Sequence, residues 1–119
     1  MEQSLYNKYG GFSQVNRIVM AFYDDLLDSD EIGPYFDHVD MKRQIDHQTK
    51  FIAFLLGGPA HFAPDHLKRV HDGLRITEAH FDELKVIFRG TLENSNFSPE
   101  DVVTVLDLIE YYRNQVVAE

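Results

Sequence analysis

The sequence predicts an all-α fold, and three observations carry that expectation. Apolar residues recur at helical spacing in each long segment. Recognisable helix starts and stops bound those segments. No stretch alternates apolar and polar residues between hairpin turns. With 119 residues, a single domain over 1–119 is expected, with room for one core.

In chain order, a short helix is expected near Ser4 to Tyr9. The Gly10-Gly11 turn follows, with Ser13 as a plausible N-cap. From Ser13 to Leu27, apolar Val15, Ile18, Val19, Phe22, Tyr23, Leu26 and Leu27 fall at i, i+3, i+4, i+7, which predicts a helix with one buried face. Gly33-Pro34 predicts a bend or a single helical turn. Asp40 can cap a second long helix to about Leu56, where Gly57-Gly58-Pro59 stops it. A helix of about two turns is expected from Pro64 to His71, ended by Gly73. Thr77 caps the next, with Ile76 and Phe81 as a hydrophobic staple, and Phe81, Leu84, Phe88 and Leu92 as its stripe. Ser98-Pro99-Glu100-Asp101 opens the last helix, with Val102, Val105, Leu106 and Ile109 facing inward.

Composition narrows the function. The chain has no cysteine, which excludes a disulfide scaffold, an iron–sulfur cluster and a thiol nucleophile. Its net charge of −9 repels the phosphate backbone of nucleic acid and an anionic membrane surface. No apolar run reaches the length of a membrane span. The residues Met1-Glu2-Gln3-Ser4 have neither a basic start nor an apolar signal region, so a cytoplasmic protein is expected.

The most informative segment is Asp40 to Leu56. On a wheel of about 100° per residue, Met41, Ile45, Phe51, Ile52, Phe54 and Leu55 cluster around Gln44. Lys42, Asp46, Thr49, Lys50 and Ala53 fall opposite. Gln44, His47 and Gln48 are polar yet sit within the apolar arc, and their i, i+3, i+4 spacing makes them neighbours. An unpaired buried polar group costs about 1–3 kcal/mol. Either these three are core polars satisfied by backbone or water, or the arc is partly exposed, or they line a cavity and face a polar ligand. Tyr23, in the stripe of the first long helix, adds a hydroxyl that needs a partner if buried.

His71 is in phase with Leu67 and Val70 and is expected to face inward. An inward histidine is often a satisfied core residue; imidazole is also the commonest metal ligand. His38, His61, His66 and His80 read as mostly solvated, and no H-E-x-x-H zinc pattern exists. Asp24-Asp25 and Asp28-Ser29-Asp30 lie off the apolar stripe and read as a charged face. There is no phosphate loop and no Gly-rich dinucleotide turn.

Taken together, the chain resembles the truncated haemoglobins, specifically their first group. The resemblance rests on Leu5-Tyr6-Asn7-Lys8-Tyr9-Gly10-Gly11, Ala21-Phe22-Tyr23-Asp24, Pro34-Tyr35-Phe36 and Val39-Asp40-Met41. It continues through His47-Gln48-Thr49-Lys50-Phe51, Leu56-Gly57-Gly58-Pro59, Arg69-Val70-His71 and Ile76-Thr77-Glu78-Ala79-His80-Phe81-Asp82. Each fragment is weak alone; the ordered set is specific and covers nearly the whole chain.

The resemblance implies a shortened globin fold, a two-over-two helical sandwich around haem b. It implies His71 as the proximal iron ligand, Tyr23 as the distal tyrosine beside Phe22, Phe36 as the haem-packing phenylalanine, and Gln44 and Gln48 as distal polar residues. In some members the residue matching His47 binds the iron when no gas is present. Some also attach the haem covalently through a late histidine. This chain has no histidine after His80, so non-covalent haem is expected. Phe36, Phe51, Leu55, Leu74 and Phe88 suit an apolar disc, and Lys68 or Arg69 suits its propionates. Bound dioxygen carries partial negative charge, which a tyrosine hydroxyl and glutamine amides can meet with hydrogen bonds. Three functions share such a site: reversible binding of dioxygen, alongside nitric oxide and carbon monoxide; nitric oxide dioxygenation with an external reductase; and a bis-histidine redox or signalling role. A helical binding module without haem is the remaining reading. A monomer is expected.

Overall fold

The long helices start where a side chain can take up a free backbone N–H. In the computed structural model, which describes residues 4–59 and 76–113, Asp40, Thr77 and Ser98 each accept a hydrogen bond from the N–H three residues on, at 3.3, 3.1 and 3.2 Å. These caps open α3 (Met41–Leu55), α4 (Glu78–Asn94) and α5 (Pro99–Tyr111), as their sequences predict. Ser4 caps the one-turn α1 (Leu5–Lys8) in the same way. The first long helix, α2 (Gly11–Asp28), differs from expectation: it begins at Gly11 behind a left-handed Gly10, two residues before Ser13. Gly33-Pro34 forms one 3-10 turn, Gly33–Phe36. All the regular elements described are helical apart from a single bridge residue at Ile76.

Helix ends are equally local. At Gly57 (φ +94°) the chain leaves α3 through a left-handed residue, and Gly58 N–H returns to the Ala53 carbonyl at 2.9 Å. A side chain on Gly58 would strike that carbonyl at 2.8 Å and the Tyr6 ring at 3.0 Å. The two glycines therefore both stop α3 and let α1 dock on its end, where Tyr6 N–H donates to the Leu56 carbonyl. α4 ends at Asn96 (φ +69°). Phe97 N–H bonds the Leu92 carbonyl and Asn96 N–H the Glu93 carbonyl, and Phe97 and Leu92 are both buried. That is a Schellman ending with its apolar contact.

α2 is the central element, packing on α3 and on α4, while α5 covers α4 and reaches α3. It buries Val15, Ile18, Val19, Tyr23 and Leu26, as its periodicity predicts, but leaves Leu27 exposed. Leu27 is one residue past Leu26 and so lies beyond the edge of the stripe.

α3 carries a larger correction. Thr49 and Ala53, expected on the solvated side, are both fully buried. Asn16 of α2 donates to Thr49 Oγ1 at 3.2 Å, and Thr49 donates to the Ile45 carbonyl at 2.7 Å. Two small residues one turn apart allow α2 and α3 to approach closely. α3 is therefore buried on two sides, one against α2 and one carrying Gln44, Phe51 and Leu55.

The N-terminal helix is tied down over a long sequence distance. Lys8 Nζ and Tyr9 Oη both donate to one Asp101 carboxylate oxygen, at 2.7 and 2.6 Å. Tyr9 Oη in turn accepts from Ser98 N–H at 3.1 Å, and its ring stacks on Phe97. Among the described residues no helix is long and apolar enough to cross a membrane.

Candidate functional site

A pocket open to solvent on one side lies between α2, α3, α4 and the edge of α5. Its walls are almost wholly apolar. Val19, Phe22, Leu26 and Phe36 form one side, Phe51 and Ile52 of α3 another. Ile76, Phe81, Leu84 and Phe88 form the side contributed by α4 and its approach, with Ile109 from α5. The aromatic walls interlock: Phe22 lies 4.7 Å from Phe88 by ring centroid, and Phe36 meets Tyr23 edge-on at 5.4 Å.

Three polar side chains of α2 and α3 line this pocket: Tyr23, Gln44 and Gln48. Tyr23 is only 4 % exposed and Gln44 6 %. Gln44 Nε2 donates to Tyr23 Oη at 3.2 Å. The arrangement follows from helix geometry. Tyr23 sits one turn past Val19 on the buried stripe of α2, and Gln44 and Gln48 occupy one face of α3 that points across to it. Burial pushes the Tyr23 hydroxyl well above its ordinary pKa, against the opposing pull of the Gln44 hydrogen bond. Tyr23 is thus a neutral phenol. With Gln44 as donor to its oxygen, its own proton is directed elsewhere.

Most of the expected site residues meet here. Phe22, Tyr23, Phe36, Gln44, Gln48, Phe51 and Phe88 all line the pocket. Leu55 is buried in the core but lies outside the lining, one turn beyond Phe51 at the end of α3. His47 follows the partly exposed reading of the arc and not the cavity-lining one. Its side chain is exposed, and Arg43 Nε lies 3.4 Å from its Nε2. It stands about 60° from Gln44 on the wheel. Because α3 turns its Thr49–Ala53 side to α2, that edge of the apolar arc is left in solvent. His71, Lys68, Arg69 and Leu74 lie outside the described residues. Of the histidines read as solvated, His38 is exposed, whereas His80 is half-buried against Tyr35. The acidic Asp24 and Asp25 are exposed, as expected, and Asp25 accepts from Thr91 Oγ1 at 3.3 Å.

The sequence reading missed one cation. Lys85 lines the pocket edge, and its ammonium is 2.8 Å from Glu110 Oε1. Arg113 also bonds Glu110 and reaches Asp82. Hydrogen bonds from Arg113 and Lys85 hold the Glu110 carboxyl down at about 2. The signal was available: Lys85 is four residues past Phe81 and three before Phe88, so it leans toward the same face.

The comparisons with known proteins agree with this geometry. The model of the bacterial-like globin family matches residues 4–118. A group 1 truncated hemoglobin of Tetrahymena pyriformis is 27% identical over 117 residues, covering 98% of this chain and 97% of that protein. One from Synechocystis is 31% identical over 104 residues, 84% of this chain and 83% of that one. The crystal structure of the Tetrahymena pyriformis protein in its Fe(III) form superposes with a TM-score of 0.88, at 27% identity, covering 98% of this chain and 100% of that one. The Synechococcus 2/2 hemoglobin, in its cyanomet state with covalently attached heme, also gives 0.88, at 29% identity over 97% of this chain and 98% of its own. Three further Tetrahymena structures carry a replacement of one tyrosine or one of two glutamines, residues spaced 21 and 4 positions apart. Tyr23, Gln44 and Gln48 have that same spacing. The chain belongs to the bacterial-like globins and, within them, to the group 1 truncated haemoglobins, a family of haem proteins.

Proposed function

We propose that this globin binds haem b without a covalent bond, takes His71 as proximal iron ligand, and holds dioxygen reversibly against Tyr23, Gln44 and Gln48. The observation that carries the reading is the buried Gln44–Tyr23 hydrogen bond on the wall of an otherwise apolar pocket. The walls suit the cofactor: a flat apolar ring system needs broad aromatic faces, and Phe36, Phe51, Phe81 and Phe88 supply them. With no cysteine in the chain, a histidine is the natural axial donor.

When bound, the haem supplies the iron at which a diatomic gas attaches. The chain does the rest. Phe22, Phe36 and Phe88 keep water from the distal side. Gln44 holds the Tyr23 oxygen in place, so that the phenol proton can be given to a polar gas. Each such hydrogen bond is worth about 0.5–1.5 kcal/mol net. Nitric oxide and carbon monoxide would enter the same space. Ligation of the iron by His47 in the gas-free protein is a separate expectation. The exposed ring beside Arg43 speaks against it, because the imidazole would have to leave that contact and turn inward.

The test is optical. The reduced protein should take up haem and give an oxygenated spectrum that reverts when the gas is removed. His71→Ala should lose most of its haem. Wild-type haem content and spectrum in that variant would overturn the proximal assignment.

A further inference from the structure

The six tyrosines differ in what could take their hydroxyl proton. Tyr23 is buried, its oxygen accepts from a neutral amide, and its hydroxyl is held well above the ordinary pKa. Tyr9 gives its proton to Asp101, a carboxylate held below its usual range first by Lys8, hence a weak base. Tyr9 also lies away from the pocket lining. Tyr35 is different. Its hydroxyl oxygen is 2.6 Å from His80 Nδ1, and the two rings meet edge-on at 5.3 Å. With the ring proton on Nε2, the imidazole accepts from Tyr35, and Nε2 faces Glu31 Oε2 at 3.9 Å. Imidazole is a far stronger base than a carboxylate, by about two pKa units or more. Tyr35 is also the chain neighbour of Phe36, which is buried, lines the pocket and packs on Tyr23.

We propose that Tyr35 and His80 form a relay that passes one electron at a time from the surface to the haem pocket while His80 holds the matching phenol proton, giving this globin a peroxide-driven oxidation of small one-electron donors. The proposal rests on haem occupying the pocket. Hydrogen peroxide is the oxidant: it accepts two electrons through the haem and, with two protons, becomes two waters. Tyr35 supplies those electrons one at a time and is re-reduced by a donor in between. Its O–H bond breaks, the electron moves toward the pocket by way of Phe36, and the proton passes to His80 Nδ1. A neutral phenoxyl radical remains on Tyr35, and the new imidazolium faces the Glu31 carboxylate. A phenol or an ascorbate-like reductant then returns the electron, and His80 returns the proton. Two donors are consumed per peroxide, and the two protons they release balance the two taken up. Tyr23 cannot serve in this way, because nothing beside it in the described structure is a base.

The experiment is rapid-freeze electron paramagnetic resonance of the ferric, haem-loaded protein after one equivalent of hydrogen peroxide. Wild type should give a tyrosyl radical. Tyr35→Phe, which keeps the ring and its packing, should reduce that signal at least five-fold. His80→Gln, which keeps a hydrogen-bond acceptor but removes the base, should reduce it at least three-fold, and Tyr9→Phe should leave it unchanged. Absence of a haem spectrum in wild type would overturn both this proposal and the function it rests on. A normal haem spectrum with no radical, or with a radical undiminished in Tyr35→Phe, would overturn the relay alone.

Discussion

Two tyrosines in this globin are each hydrogen-bonded across a long stretch of chain, and they do opposite things. At the docked N-terminus, Tyr9 spends its whole hydroxyl on the protein: it donates to Asp101 and accepts from Ser98 N–H. In the pocket, Tyr23 accepts from Gln44 and is buried among apolar walls. The first tyrosine holds helices together. The second, under the proposed function, keeps a proton to offer to a bound gas. The difference lies in the partner: a charged acceptor completes Tyr9, whereas among the described residues Tyr23 has a neutral donor and no acceptor. Satisfied polar groups stabilise a fold, and a polar group satisfied on one side only is where a ligand can act.

The comparison can be broken in a graded series. The largest effect is expected at Tyr23→Phe, which should raise the oxygen dissociation rate ten-fold or more, since one decade is about 1.4 kcal/mol. Its stability should also fall, by about 1–3 kcal/mol, because the buried Gln44 amide loses its acceptor. Stopped-flow kinetics and thermal melts check both halves. Tyr9→Phe should separate the two effects: unchanged oxygen kinetics, and a loss of about 1 kcal/mol of stability in denaturant unfolding. Acid sharpens the contrast further. Hydrogen bonds from Lys8 and Tyr9 hold the Asp101 carboxyl below its ordinary value of 3.8. The stability this gives is complete above that value and fades as pH falls through the lower, folded one. Unfolding midpoints measured from neutrality to below pH 4 should therefore fall less steeply in Asp101→Asn. The smallest effect is expected at His47→Leu. An exposed residue beside Arg43 should leave the ferrous, gas-free spectrum high-spin in both proteins. A low-spin band in wild type that the substitution removes would instead identify His47 as an iron ligand.

The features legible in the sequence were the local ones. Asp40, Thr77 and Ser98 announce their helices because a cap acts within four residues. Gln44 and Gln48 stand out because a helical wheel needs only one helix. What the wheel could not supply was which helices surround α3. Thr49 and Ala53 look like a solvated face until α2 is packed against them, and that same packing leaves His47 in solvent. Leu55 falls outside the pocket lining for a similar reason, since wall membership depends on where facing elements end. Ile76 and Ile109 reach the pocket from an approach and a helix far away in sequence. Their role is set by tertiary packing rather than by spacing. The Tyr35–His80 contact spans 45 positions and has no signature in either segment.

The central claim is that Tyr23 is a hydrogen-bond donor to a polar gas, and a paired dissociation measurement tests it most directly. Oxygen and carbon monoxide release are timed in wild type and in Tyr23→Phe, under one set of conditions. Bound carbon monoxide is the less polar ligand and gains little from a donor. A donor role for Tyr23 predicts that oxygen release accelerates ten-fold or more while carbon monoxide release changes by less than about three-fold. Equal acceleration of both gases would contradict it, because the tyrosine would then be acting through space and access rather than through its proton.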